Sequence, residues 1–279
     1  MLLTRATLDV LLKPRQPMTC RAPEFPTIIL TESECKTFKF FQTPHFFVVV
    51  FPATRTMHCA IYKHTFSNFV GANIQLDVGG EQISFRCGEE AFKAACAMIH
   101  LDLPDISSNE NNLQVLETIL NADEPKVAKK AGSKIKGFKQ DAWNAMSFNV
   151  MRSIQMLKFG DPKFRDFALG LAQIAKDNDI LIENCFFMEA TSDDNLWGTG
   201  VSIDDVFSQI CKDGVATFKG QNRLGNAISE AFVALVSDNY VGLDETMDEF
   251  VARVSSKGGF TLFELEGEPS AKRAKLAAD

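Results

Sequence analysis

The hydrophobic rhythm of the chain changes near Gly88. Before it, apolar residues come in short runs or alternate with polar ones; after it, they recur at helical spacing. Phe46 to Phe51 reads Phe-Phe-Val-Val-Val-Phe, the longest apolar run. That length suits a buried strand and falls far short of the roughly 20 residues of a membrane-spanning helix. The phenylalanine- and valine-rich stretch from Phe38 to Tyr62, broken by Pro44 and Pro52, predicts two or three short strands. From Asn73 to Phe85, Ile74, Leu76 and Val78 alternate with polar residues, Gly79-Gly80 turns the chain, and Ile83 and Phe85 resume the alternation, so a β-hairpin is expected. The expected sheet is antiparallel and small.

Helical periodicity takes over afterwards. Asn112 stands as a cap before Leu113, Leu116, Ile119 and Leu120, and Pro125 opens a short helix that Gly132 closes. Trp143, Met146, Val150, Ile154 and Leu157 share a face between Asp141 and Gly160, and Asp161-Pro162 starts a helix turning Phe164, Phe167, Ala168 and Leu171 inward. Residues 223 to 238 and Leu243 to Val254 predict two more helices. Strands first and helices after indicate an α+β, mainly helical domain with a small antiparallel sheet near its start. Its expected span is residues 38–258. Residues 1–37 form a proline-rich extension, and 259–279 a C-terminal strand and basic tail. Pro14, Pro17, Pro23 and Pro26 argue against a continuous helix over residues 1–27. The segment from Ser202 to Lys219 reads as a loop: a lid, a partner surface or a plain insertion.

Composition narrows the setting. A chain of 279 residues with 46% hydrophobic content can bury a substantial core, and a net charge of -7 argues against sequence-independent binding of a phosphate backbone by the whole surface. Seven cysteines, odd in number and without a Cys-x-x-Cys pair, suggest neither a disulfide framework nor a zinc site. A reducing, intracellular setting without a membrane is therefore expected. The basic amino terminus echoes an organelle transit peptide or is an ordinary disordered arm. Lys272 to Leu276 resembles a short nuclear import signal or a solvated basic tail, so cytoplasm and nucleus both stay open.

The helix opening at Glu89 carries the densest chemistry. Glu89, Lys93, Cys96 and His100 fall at i, i+4, i+7 and i+11, which at about 100° per residue puts them on one stripe of an otherwise apolar helix. They form either the wall of a polar pocket or a surface ion pair followed by core filler. Farther along, the Trp197-Gly198-Thr199-Gly200 turn offers an aromatic face for stacking and glycines that let a ligand approach the backbone. Ser67 and Asn68 suit ribose or base edges, and Gln221 and Asn222 stand at a helix mouth that suits an anion. Arg152 and Lys158 lie on different faces of one helix; at most one meets a phosphate, and the other is a solvated charge.

Five segments in order resemble the NADAR (NAD and ADP-ribose associated) family, also called the YbiA-like fold, over about residues 62–240. They are Thr65-Phe-Ser-Asn-Phe69, the Glu89 helix, Met151-Arg152 with Lys158-Phe159, Glu189 with Asp194-x-x-Trp197-Gly-x-Gly200, and Gly220-x-Asn222-x-Leu-Gly225. The resemblance implies cleavage of a ribosyl–base bond in an ADP-ribosylated or related nucleotide, free or linked to nucleic acid, with no cofactor or metal. It implies Glu89, Glu189 and Asp194 as carboxylates around the sugar, with Phe66, Ser67, Asn68, Cys96, Trp197, Gly198, Gly200, Gln221 and Asn222 lining the substrate. Family members place a Schiff-base lysine seven residues after the helix glutamate; here that position is Cys96, and Lys93 is an amine one turn earlier. Glu90 replaces the family's histidine. The alternative implied by Cys96 is a catalytically inactive nucleotide-binding or interaction protein, or an assembly protein that forms an oligomer.

Overall fold

Four strands run together between Phe46 and Cys87, and longer helices dominate the chain from Gly88 on. The computed structural model describes residues 2–3, 5–22, 28–39, 45–78, 81–101, 109–240 and 264–265. In order these hold β1 (Leu2–Leu3), α1 (Arg5–Leu11), β2 (Ile28–Thr31), α2 (Glu32–Cys35), β3 (Phe46–Phe51), β4 (Thr56–Ile61), β5 (Gly71–Val78) and β6 (Glu81–Cys87). Then come α3 (Gly88–Leu101), α4 (Asn109–Leu120), α5 (Pro125–Gly132), α6 (Gln140–Lys158), α7 (Pro162–Asp177), β7 (Cys185–Glu189), α8 (Ile203–Asp213), α9 (Arg223–Tyr240) and β8 (Glu264–Leu265), which pairs with β1. The expected turn at Gly79-Gly80, the helix from Leu243 to Val254 and the basic segment from Lys272 to Leu276 lie outside the described residues.

The architecture is α+β. The hairpin β5–β6 is antiparallel, as its alternation predicts. The main sheet departs from the expected antiparallel arrangement: its order is β2-β3-β4-β7, and only β3 and β4 run antiparallel, while β2 joins β3 and β7 joins β4 in parallel. A long connection makes the last pairing possible, since β7 returns to the sheet only after α3 to α7.

Strand β3 explains the layering. Its residues alternate between two cores: Phe46, Val48 and Val50 pack into the large one under α3 to α7 and α9, and Phe47, Val49 and Phe51 into a smaller one on the opposite face. A strand covered on both faces reads as a continuous apolar run. The cover on the second face is α8, in the segment expected to be a loop. Ile203, Val206, Phe207 and Ile210 recur at helical spacing and are buried there, Ser202 caps the first turn, and Gly214 ends the helix with φ 74°.

Two further sequence expectations change. Asn112 is no cap: α4 begins at Asn109, and the buried Asn112 carboxamide brackets the peptide of Lys136, accepting from its N–H at 2.9 Å and donating to its carbonyl at 3.0 Å. Cys35 and Cys211, 176 positions apart, are joined in a disulfide, contrary to the reading of the cysteines as unlinked. Pairing over that separation is set by the fold, which brings α2 and the end of α8 together, and spacing in sequence cannot reveal it.

The amino-terminal segment is fastened to the domain. Leu8, Val10 and Leu11 of α1 are buried in the large core. The fully buried Glu90 accepts from Arg86 at 2.7 Å and lies 3.5 Å from Arg15. Arg86 also donates to the carbonyl of Gln16, and Thr19 N–H to Asp123 O at 2.7 Å. Arg21 then makes a one-residue bridge alongside Val70. No helix among the described residues is long and apolar enough to cross a membrane.

Candidate functional site

The start of α3, the end of β7 and the loop after β7 bring the acidic residues together. Gly88 opens α3 against Asn68, where a Cβ would come within 2.7 Å of the Asn68 carboxamide oxygen. The Asn68 carbonyl accepts from Glu89 N–H at 2.9 Å, which fixes the first turn of the helix. Glu89 is 5% exposed, and its Oε1 has no hydrogen-bond partner among the described residues. Lys93 Nζ lies 3.9 Å away, beyond hydrogen-bond length. Burial raises the Glu89 pKa; the Asp194 charge adds to that, and Lys93 and Lys129 oppose it.

Glu189, the last residue of β7, is held by its backbone. Its N–H donates to Asn222 Oδ1 at 2.9 Å, and its carbonyl accepts from Thr191 and Thr199 at 3.0 and 2.8 Å. The carboxyl itself is buried with Oε2 unpaired among the described residues. Burial pushes its pKa up to about 8, the nearby Asp194 in the same direction, while Lys158 and Arg21 pull it down. At neutral pH the side chain is mainly a protonated acid. Asp194 is fixed by turn geometry, its Oδ1 accepting from Leu196 and Trp197 N–H at 3.0 and 2.7 Å. It influences both glutamates and so stands between them electrostatically.

Trp197 is half-buried, with Phe92 edge-on at 5.1 Å and the Arg223 guanidinium 4.7 Å over its ring. Arg223 is in turn held by Ser147 at 3.0 Å. Sequence reasoning passed over this arginine, although it lies inside a motif singled out for its neighbours.

Lys158 is the larger surprise. Expected either to meet a phosphate or to be a solvated charge, it is 1% exposed, and its amine donates to the carbonyls of Thr65 and Ser67 at 2.8 and 3.0 Å with Phe164 beneath it at 4.5 Å. Burial lowers its pKa to about 7, and the neighbouring Cys87, Glu189 and Asp161 oppose that shift. The signal was present: Lys158 lies four residues after Ile154 and seven after Met151, both core-facing. Arg152, on the other face, pairs with Glu230 at 3.2 Å near the surface.

Several expected substrate contacts belong to the framework. Phe66 sits wholly in an aromatic cluster with Phe46, Phe159, Phe167 and Phe187. The Asn68 side chain accepts from Gln155 at 2.9 Å, and Ser67 Oγ accepts from Phe69 N–H at 3.4 Å. Asn222, at φ 51°, uses its amide to take the place of a neighbouring strand beside β7, donating to Phe187 O at 2.9 Å as well as accepting from Glu189. Gly198 and Gly200 make room for the chain itself: a Cβ would meet Thr191 or Asn195 at 2.2 Å. Gln221 is exposed at the head of α9. The polar stripe on α3 divides after its second member. Cys96 is buried, with its thiol pushed up to about 12, and His100 is enclosed between the Cys96 carbonyl at 2.7 Å and Lys139 N–H at 3.1 Å. Glu89 and Lys93 alone of the four stand at the carboxylate cluster.

Residues 54–233 match the NADAR domain. The chain belongs to the NADAR domain family. The match takes in Glu89, Lys158, Glu189, Asp194 and Trp197, and it leaves out the amino-terminal segment with Arg15, Arg21 and Cys35. No curated protein matches the chain. Among solved structures it is similar to the NMR structure of the E. coli protein YbiA at 22% identity, covering 64% of this chain and 84% of that one, with a TM-score of 0.41. In this NADAR domain the thiol of Cys96 occupies the position at which the family resemblance expects an amine.

Proposed function

We propose that this NADAR domain cleaves the bond between a ribose and a base in an ADP-ribosylated or related nucleotide. The observation that carries the reading is the pair Glu89 and Glu189: two buried carboxyl groups, each with an oxygen left without a hydrogen bond among the described residues, and each within electrostatic reach of Asp194. An unpaired buried carboxyl costs stability, and sites of chemistry are where such groups persist. In the proposed step the C1′–N bond breaks and the departing base takes the proton of Glu189, which its raised pKa keeps in place at neutral pH. Asp194 steadies the positive charge that builds on the sugar. Water bonds to C1′ and yields its proton to Glu89.

Lys93 provides a second route to the same products, by amine attack at the opened sugar and later hydrolysis of the Schiff base. Its side chain is 22% exposed and adjoins Glu89, whereas the Cys96 thiol stays protonated and enclosed. The experiment is to offer the purified protein ADP-ribosylated guanosine and assay for free ADP-ribose. Release is expected; no release at high protein concentration overturns the reading. Lys93→Ala separates the routes, since activity surviving the substitution assigns attack to water. Cys96 at the family's lysine position supports a second reading, a domain that binds the nucleotide without cleaving it; saturable binding with no release is its signature.

A further inference from the structure

We propose that the segment preceding the family domain completes the site, with the Arg21 guanidinium binding a phosphate of the nucleotide. This rests on the reading of the site as a nucleotide site, but not on cleavage.

Three features on the structure lead there. The first is placement. Ile61 at the end of β4 pairs in register with Glu189 at the end of β7, and Ala190 N–H donates to Ile61 O at 2.8 Å. Two residues past Ile61, the carbonyl of Lys63 accepts from Arg21 Nη1 at 2.9 Å, so the guanidinium stands at the sheet edge where Glu189 ends. Its charge reaches Glu189 and favours the ionised carboxylate there. The second is fixed position with an open head group. Arg21 N–H donates to Phe69 O at 3.1 Å and its carbonyl accepts from Gly71 N–H at 2.9 Å, yet the residue is exposed. A guanidinium carries five N–H donors in a planar fork matched to phosphate oxygens, and the Lys63 carbonyl takes one of them. The third is the site's own need. Glu189 Oε2 and Thr191 Oγ1 are buried without hydrogen-bond partners among the described residues, and Asp194 is beside them. Phosphates brought to the Glu189 end of the site meet the charge of Asp194, and a guanidinium there offsets that repulsion.

The segment is anchored independently of the Arg21 side chain, through Glu90 with Arg15, Arg86 with Gln16, and Thr19 with Asp123. Removing the guanidinium therefore leaves the docking in place, which makes the test clean. ADP-ribose and inorganic pyrophosphate are titrated calorimetrically into the full-length wild type and into Arg21→Ala, Arg21→Lys and Arg21→Glu, alongside thermal melting of each. Expected is a loss of ADP-ribose affinity of at least about tenfold in Arg21→Ala, a larger loss in Arg21→Glu, partial recovery in Arg21→Lys, and unchanged melting midpoints. The salt dependence of binding becomes shallower in Arg21→Ala. Wild-type affinity in Arg21→Ala overturns the proposal. So does a loss accompanied by a lowered midpoint, or a wild type that binds neither ligand. Absence of cleavage bears only on the glycosidase reading and leaves this one standing.

Discussion

Glu89 and Glu90 are neighbours in the first turn of α3, and solvent reaches neither to any extent: 5% and 0% exposed. Yet Glu90 is surrounded by arginines, with Arg86 at 2.7 Å and Arg15 at 3.5 Å, whereas Glu89 keeps one oxygen without a hydrogen bond and an amine no closer than 3.9 Å. Both enjoy the positive end of the helix. What separates them is the direction in which they point: Glu90 toward the amino-terminal segment and the β6 arginine, Glu89 toward Asp194. A carboxylate saturated with partners holds structure together, and one left short of partners is available to a ligand. Glu90, where the family resemblance expects a histidine, anchors a segment that lies outside the matched residues 54–233.

The comparison can be broken most sharply at Glu90. Glu90→Ala leaves the Arg15 and Arg86 charges without their buried partner, and unfolding by denaturant should show a loss of about 3–5 kcal/mol. An unchanged midpoint contradicts the assignment of Glu90 to structure. Glu89→Gln should do the opposite. Stability shifts by less than about 1 kcal/mol, while the rate of ribosyl–base cleavage falls at least about 100-fold. Equal losses of rate in properly folded Glu89→Gln and Glu90→Gln proteins remove the distinction.

Stability as a function of pH extends the contrast to the second unpaired carboxyl. Glu189 titrates near 8 in the folded protein against an ordinary 4.5, so its contribution is greatest below 4.5 and is lost as pH rises through 8. Lys158 titrates near 7 against 10.5, so its contribution is greatest above 10.5 and is lost as pH falls through 7. Melting temperature should therefore decline between pH 4.5 and 8 from the glutamate and climb between 7 and 10.5 from the lysine. Glu189→Gln should make the decline shallower, leaving the part that the raised pKa of Glu89 contributes, and a curve of unchanged shape refutes the raised pKa of Glu189. The smallest effect belongs to Lys93→Ala: at 3.9 Å from Glu89 without a hydrogen bond, the pair should contribute under about 0.5 kcal/mol to the measured unfolding free energy. A loss of several times that reassigns Lys93 to the framework.

Legibility in the sequence followed the range of the forces involved. Helices α5, α6, α7 and α9 were readable because caps, prolines and apolar spacing are local signals, and so was the β5–β6 hairpin. Strand β3 was readable as buried, but its unbroken apolar run also demanded cover on both faces, and the spacing of Ile203, Val206, Phe207 and Ile210 offered that cover. Pairings between distant segments were out of reach: β7 beside β4, Cys35 beside Cys211, the amino-terminal segment beside α3. At the site, the family resemblance pointed to Glu89, Glu189 and Asp194, and the fold brings Asp194 within electrostatic reach of both glutamates. The resemblance could not tell a side chain that faces a ligand from one that braces the backbone behind it, as the side chains of Asn68, Asn222 and Lys158 do.

The Cys35–Cys211 bond also makes the protein a covalent ring with two tails. The ring of chain from 35 to 211 contains β3, β4 and every carboxylate of the candidate site, while α1 and α9 hang outside it. A protease that cuts one peptide bond inside the ring leaves a single molecule of undiminished mass, which separates into two fragments only after reduction. The same cut in a Cys35→Ser variant leaves only non-covalent contacts between the pieces, and denaturant alone separates them.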